Sequence, residues 1–355
     1  MTGSAQEMPP QQIVSRAGWR GDDGMPASEF VYRLSDAELD ELERECARLV
    51  AADPDLGTLD RDDYPLPMCA AGIAEWAEQL DHGLGFVLVR GLRVAEYSNE
   101  LSSAIFFLLG LWLGNPMRQN GAGDVLTHII ATTSKPAYSA PNVLSSRTTS
   151  ELSFHSDSAD VVGLMCLHSA KEGGASVLAS GTTVYNEVVR RRPDLAPRLF
   201  DTYHWDWRIQ DPNSPTNTYQ SPVCCYVDGV LSMYGGSKIV FTAQEYPEVP
   251  RLTADQATVL QLVDDIAAEQ GVALEMDFQP GDIQWLLNYS AMHSRTEYRD
   301  FPEPERRRHL IRLWLTRDAG RPMVSPFGKP VAARGGAAMQ SQHLAALTQV
   351  PAFEG

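Results

Sequence analysis

Hydrophobic residues recur at two different periods along this chain, and the change of period divides it. Over 36–52, Leu39, Leu42, Cys46, Leu49 and Val50 share one helical face, and Ser35 followed by Glu38 has capping-box spacing, so a surface helix is expected. A second helix is expected over 71–82, ending at Gly83, with a buried strand over 85–91 closed by glycine. Ser98 can cap a third helix through Leu113. It stops at Gly114-Asn115-Pro116 because proline cannot continue it. From about 125 to 180 the apolar runs shorten and become β-rich, as in Val125 to Ile130 and Val161 to Leu167, with Gly, Pro and Ser clusters between them.

A helix near 183–192 follows Gly181-Thr182. Residues 200–250 then lose any regular period and carry many prolines, which predicts a long irregular lid or insert over a pocket. Tyr203, Trp205, Trp207 and Arg208 in that segment are candidates to meet a substrate, with loop packing as the competing reading. Thr253 with Gln256 caps another amphipathic helix through Ala268, and strands at Ala273 to Phe278 and Ile283 to Leu287 flank a Pro280-Gly281-Asp282 turn. The last clear strand is Leu310 to Leu315, and only a short helix near 340–348 is expected beyond Arg317. The layout is one domain over 1–355: a loose tail (1–12), helical and strand support (13–115), a core (120–317) carrying the 200–250 insert, and a C-terminal tail (318–355). No internal repeat is present.

Composition narrows the function classes. With 43% hydrophobic and 21% charged residues the chain has ordinary globular usage. Its formal net charge of −17 lacks the basic footprint that nucleic acid or an anionic membrane would need. The five cysteines show no framework spacing, and adjacent Cys224 and Cys225 suit no ordinary disulfide, so a reducing cytoplasm is expected. The N-terminal stretch has neither the basic nor the apolar region of a signal peptide, and no export is expected. Ile105 to Leu113, the most apolar run, is far shorter than the ~20 residues that cross a bilayer, and reads as a buried helix.

The candidate chemistry centres on Ser153-Phe154-His155-Ser156-Asp157. An imidazole and a carboxylate two residues apart on an extended strand face the same way and could converge on one metal ion. His293 could supply a third donor. Two histidines and one carboxylate with open positions form the arrangement of non-haem Fe(II) oxygenases, although each histidine alone could equally be a satisfied polar residue. Further on, Arg308 and Arg312 are four apart in a β-like run, on one face and about 13 Å apart at the backbone. Guanidinium groups clamp a dicarboxylate better than ammonium does. Arg306 and Arg307 suit a solvated basic run.

The order of these blocks, H-x-D, then Gly173-Gly174-Ala175-Ser176, then a Gly-Asp turn with Asn288 and His293, then Arg308-His309-Leu310-Ile311-Arg312-Leu313-Trp314, resembles the TauD/TfdA group of Fe(II)/2-oxoglutarate-dependent dioxygenases, including its clavaminate synthase branch. The resemblance covers roughly residues 80 to 317. It implies a mainly β fold with flanking helices, a double-stranded β-helix or distorted jelly roll. By it, His155, Asp157 and His293 are the iron ligands, Arg308 and Ser176 hold the distal carboxylate of 2-oxoglutarate, and Arg312 lies near the end that chelates iron. The family often has threonine at the Ser176 position, and the charged stretch from Arg299 to Arg307 is longer than in some relatives. The implied reaction decarboxylates 2-oxoglutarate to succinate and CO₂ and uses O₂ to oxidise a C–H bond of a small molecule, an amino acid or natural-product intermediate. Hydroxylation is the default outcome, and desaturation or ring closure use the same oxidant. Related halogenases replace the Asp157 carboxylate with a small residue, so halogenation is not expected. A non-catalytic metal-binding jelly roll is the alternative in another class, and the paired arginines argue against it. The oligomeric state is left open.

Overall fold

The computed structural model describes residues 9, 11–120, 122–133, 145–208, 216–318, 320–328 and 341–351. Two sheets face each other across the centre. The larger is mixed and runs, by strand, Val31–Arg33, Phe86–Arg90, Ile283–Leu287, Val161–His168, His309–Thr316 and Asn115–Met117, with Leu126–Ile129 also pairing to His309–Thr316. The smaller is antiparallel in the order Leu274–Met276, Ser176–Ser180, Ala291–Arg295 and Leu152–His155. Together they make the mainly β, double-stranded β-helix fold with helices outside, as the resemblance implies. The stretch before residue 115 contributes two strands, Val31–Arg33 and Phe86–Arg90, to the larger sheet as well as helices.

Each sheet buries its outer face under helices. Asp36–Ala52, Ala70–Asp81 and Asn99–Leu113 form one apolar cluster with the larger sheet. The capping box at Ser35 and Glu38 is formed, and Ser98 caps the third helix, so these elements begin where the sequence places them. Phe106 stacks on Trp285 with centroids 5.2 Å apart, and both are fully buried. That contact fastens the most apolar helix to the sheet, and truncating such a ring costs about 3–5 kcal/mol. Gly181–Arg191 and Ala254–Ala267 cover the smaller sheet, the second started by a formed Thr253–Gln256 capping box.

The 200–250 segment differs from expectation. It contains a hairpin of Tyr203–Asp206 with Thr218–Ser221, a second hairpin of Cys224–Val227 with Val230–Met233, and a helix, Ser237–Ala243. Tyr203 and Trp205 are core residues rather than substrate candidates, because both rings are buried in the cluster under the smaller sheet and the Trp205 indole donates to the Ser221 carbonyl at 2.8 Å. Trp207 packs against the same cluster. Residues 209–215 lie outside the described residues, as do most of the 1–12 tail and 329–340. Beyond them a short helix, Leu344–Leu347, is present. All five cysteines are buried and unpaired. Among the described residues, no helix is long and apolar enough to cross a membrane.

Candidate active site

His155 and His293 are placed by strand pairing. They are direct partners between Leu152–His155 and Ala291–Arg295, with ring centroids 4.3 Å apart. Opposed residues on antiparallel strands present their side chains on the same face, and here that face is the interior. Asp157 departs from expectation, because the strand ends at His155 and the carboxylate follows two residues later on irregular backbone. A neighbour from far along the sequence sets its position. Asn288 accepts from the Asp157 backbone N–H at 2.7 Å and donates to its carbonyl at 2.6 Å. This reciprocal pair does what strand geometry was expected to do.

One ligand-capable atom from each of His155, Asp157 and His293 lies within 4.8 Å of the other two, so the three could hold one metal ion. The donor chemistry fits. The His155 Nδ1 lies 2.9 Å from the Ser153 carbonyl, which can only accept, so Nδ1 carries the proton and Nε2 keeps a lone pair. That Nε2 is 4.0 Å from Asp157 Oδ1, and the His293 Nε2 is 3.9 Å from Oδ2. Burial pushes the His293 imidazole down to about 3, with the neighbouring His155 adding to the effect, so it is neutral, the form that ligates. Burial alone would raise the Asp157 carboxyl. The Arg312 guanidinium, the two imidazoles and the Trp314 N–H outweigh it and hold the group at about 2. Arg312 Nη1 and Trp314 Nε1 both donate to Oδ2, at 3.1 and 2.9 Å, leaving Oδ1 toward His155.

The two other predicted positions lie further along the same interior. Gly173 and Gly174 both have positive φ (71° and 75°). A Cβ on Gly173 would sit 2.2 Å from the Glu297 carbonyl oxygen, and one on Gly174 would sit 3.0 Å from Arg308 Nε. The paired glycines therefore make the turn and clear the space that Arg308 fills. Arg308 precedes the regular strand by one residue, is 4% exposed, and donates to the Gly174 carbonyl at 3.3 Å. Its Nη1 is buried with no hydrogen-bond partner among the described residues. By contrast Arg306 is exposed on a short 3₁₀ turn over Phe301, and the Arg307 guanidinium donates to the Pro302 carbonyl. Ser176 donates to Gln284 Oε1 at 2.6 Å. Arg312 is fixed from behind by Gln119, whose Oε1 accepts from its Nε at 2.8 Å.

All six predicted residues line one cavity of about 720 Å³. Of the four substrate candidates, Arg208 lies on its wall, and it does so with Asp206, Tyr219, Tyr234 and Lys238 from the same segment. Asn288, Gln119 and Gln284 were not singled out as site residues by sequence. Each acts through a partner more than a hundred positions away, which no local spacing reports.

Residues 50–314 match the sequence model of the family described as taurine catabolism dioxygenase TauD, TfdA family. The chain belongs to the TauD/TfdA dioxygenase family. It is thus an oxidoreductase of a group that uses Fe(II), 2-oxoglutarate and O₂. The dioxygenase is 28% identical over 320 residues to FR-33289 synthase of Streptomyces rubellomurinus, covering 87% of this chain and 91% of that one. It is also 28% identical over 310 residues to the taurine hydroxylase-like protein SAT17 of Stachybotrys chartarum, covering 85% and 79%. In fold it is similar to an asparagine oxygenase solved with Fe(II), 3-hydroxyasparagine and succinate (TM-score 0.62, 14% identity, 81% of this chain and 93% of that one). It is similar also to the non-haem iron oxygenase OrfP solved with Fe and α-ketoglutaric acid (TM-score 0.58, 16% identity, 81% and 94%).

Proposed function

We propose that the dioxygenase couples decarboxylation of 2-oxoglutarate to oxidation of a C–H bond in a small molecule, with His155, Asp157 and His293 holding Fe(II). The observation that carries this reading is the convergence of all three metal-capable side chains with Arg308, Arg312 and Ser176 on one cavity. When bound, iron supplies the site at which 2-oxoglutarate and O₂ react, with succinate and CO₂ as co-products.

The chain's own residues divide the remaining work. Arg308 gives a desolvated, bidentate-capable cation for the distal carboxylate of 2-oxoglutarate, and Ser176 and Gln284 supply polar partners beside it. Arg312 neutralises Asp157 and stands at the metal end, where the chelating end of 2-oxoglutarate would lie. Asn288 and Trp314 orient the Asp157 carboxylate, which keeps the donor set assembled. Asp206, Arg208, Tyr219, Tyr234 and Lys238 line the same cavity and would meet the substrate, for which an amino acid or natural-product intermediate is the proposed class.

Succinate formation with Fe(II), ascorbate, 2-oxoglutarate and a library of such compounds tests this reading. One or more compounds should raise succinate output together with an oxidised product. No succinate above the metal-free control with any compound would overturn it.

A further inference from the structure

Arg295 lies two residues beyond His293 on the strand Ala291–Arg295, and alternate residues of a strand share a face. It therefore faces the same interior as His293, about 7 Å further from the metal donors. Its direct cross-strand partner is Ser176. Directly opposed residues share a face, so Arg295 enters the cavity at the end assigned to the distal carboxylate. The cavity lining includes it.

Its environment is unusual for a cation. Arg295 is 5% exposed, and both it and Arg308 lie over the ring of Tyr298, with guanidinium carbons 4.7 and 5.2 Å from the centroid. Arg295 Nη2 donates to the carbonyls of Thr148 (3.0 Å) and Ser150. Its Nε and Nη1, together with Arg308 Nη1, are buried with no hydrogen-bond partner among the described residues. The nearby carboxylate is Asp300, whose Oδ1 accepts from the Arg308 backbone N–H at 2.7 Å rather than from either guanidinium. Two buried cations against one carboxylate leave one positive charge over, and three N–H-bearing nitrogens lack acceptors. Buried charges are costly unless paired, and unmet donors add to that cost. One further carboxylate would satisfy both needs.

We propose that Arg295 and Arg308 together form a two-arginine clamp, braced on Tyr298, for the distal carboxylate of 2-oxoglutarate. This inference rests on reading the cavity as a 2-oxoglutarate site. The single-arginine assignment made from sequence leaves Arg295 without a ligand role, and the cross-strand pairing with Ser176 supplies one.

The test is anaerobic titration of the Fe(II)-loaded full chain with 2-oxoglutarate and with 2-oxobutyrate, which keeps the 2-oxo acid head and lacks the distal carboxylate. Arg295→Ala should weaken 2-oxoglutarate binding by about 10- to 100-fold, as expected for a charged hydrogen bond, and shift 2-oxobutyrate binding less than about twofold. Arg295→Lys should recover part of the loss. Arg295→Gln, which keeps a donor for the Thr148 and Ser150 carbonyls, should show the same selective loss if Arg295→Ala does not fold. Equal weakening of both acids would mark Arg295 as a structural brace and overturn the clamp, as would unchanged 2-oxoglutarate affinity in both neutral variants. If Arg308→Ala loses 2-oxoglutarate while the Arg295 variants do not, the clamp alone falls. If the unsubstituted protein binds no 2-oxoglutarate, the function proposed for the cavity falls with it.

Discussion

Asp157 is fixed by Asn288, a residue 131 positions away, through two reciprocal hydrogen bonds to the Asp157 backbone. Since Asn288 is fully buried, replacing it strands an N–H and a carbonyl beside the metal-capable cluster. Asn288→Ala should cost about 1–3 kcal/mol or more in stability, the range for one unmet buried group. It should also weaken metal binding by about 10- to 100-fold, the usual effect of losing a group that orients a ligand. Urea unfolding and a competitive metal titration read the two effects separately.

Asp157→Ala should abolish or greatly weaken turnover while the fold persists, because one of three donors is lost from a cavity wall. Arg312 then loses its carboxylate and keeps Gln119. Circular dichroism and metal content should show a folded chain with little bound iron. Native turnover in this variant without added chloride or formate would remove Asp157 from the metal site.

Arg308 should outrank Ser176 in holding 2-oxoglutarate. Losing a buried guanidinium removes charge and hydrogen bonds together, whereas losing one hydroxyl leaves one oxygen unmet at about 1–3 kcal/mol. With about 1.4 kcal/mol per decade, Arg308→Ala should raise the 2-oxoglutarate KM by at least roughly a hundredfold and Ser176→Ala by about tenfold. Substrate KM should move much less. A near-native 2-oxoglutarate KM in Arg308→Ala, with loss in Arg306→Ala or Arg307→Ala, would relocate the clamp.

Gly174→Ala tests why the glycine pair is there. An alanine at φ 75° costs about 1–2 kcal/mol, and its Cβ would press on Arg308 Nε at 3.0 Å and Cδ at 3.1 Å. The 2-oxoglutarate KM should rise by roughly tenfold, with metal affinity unchanged. Steady-state kinetics against both ligands would separate these.

Asp264 gives a pH signature remote from the cavity. Burial pushes its carboxyl up to about 6, against the Ser237 hydroxyl that donates to it. The folded state then binds more protons than the unfolded state between about pH 4 and 6, so this group's contribution to stability falls as pH rises through that window. Asp264 retains some solvent access, which limits the effect to about 1–2 kcal/mol. Asp264→Asn should therefore gain stability relative to the unsubstituted protein on going from pH 4 to pH 7, measured by urea midpoints. A constant difference across that range would contradict the assignment.

Much of this architecture can be read locally. Helices at Asp36–Ala52, Asn99–Leu113 and Ala254–Ala267 announce themselves because cap and face lie within a few residues of each other. His155 and His293 can be read as part of an ordered set of motif blocks, not from either histidine alone. The two hairpins escape local reading because each of their strands is only four residues long, too short for alternation to stand out, with Pro222 between them. Asp157 lies beyond the strand that the H-x-D spacing predicts for it, since what holds it is the side chain of Asn288. Arg295 carries a readable signal, its two-residue offset from His293, but its meaning depends on the pairing with Ser176, which only the sheet register supplies.

The central claim is that one cavity holds Fe(II) and 2-oxoglutarate together, and anaerobic visible absorption tests it most directly. Adding 2-oxoglutarate to the Fe(II)-loaded protein without oxygen should produce the weak band of the 2-oxo acid chelated to iron. The band should be absent in Asp157→Ala for want of iron and require far more 2-oxoglutarate in Arg308→Ala. A protein that takes up Fe(II) and develops no band at saturating 2-oxoglutarate would contradict the account.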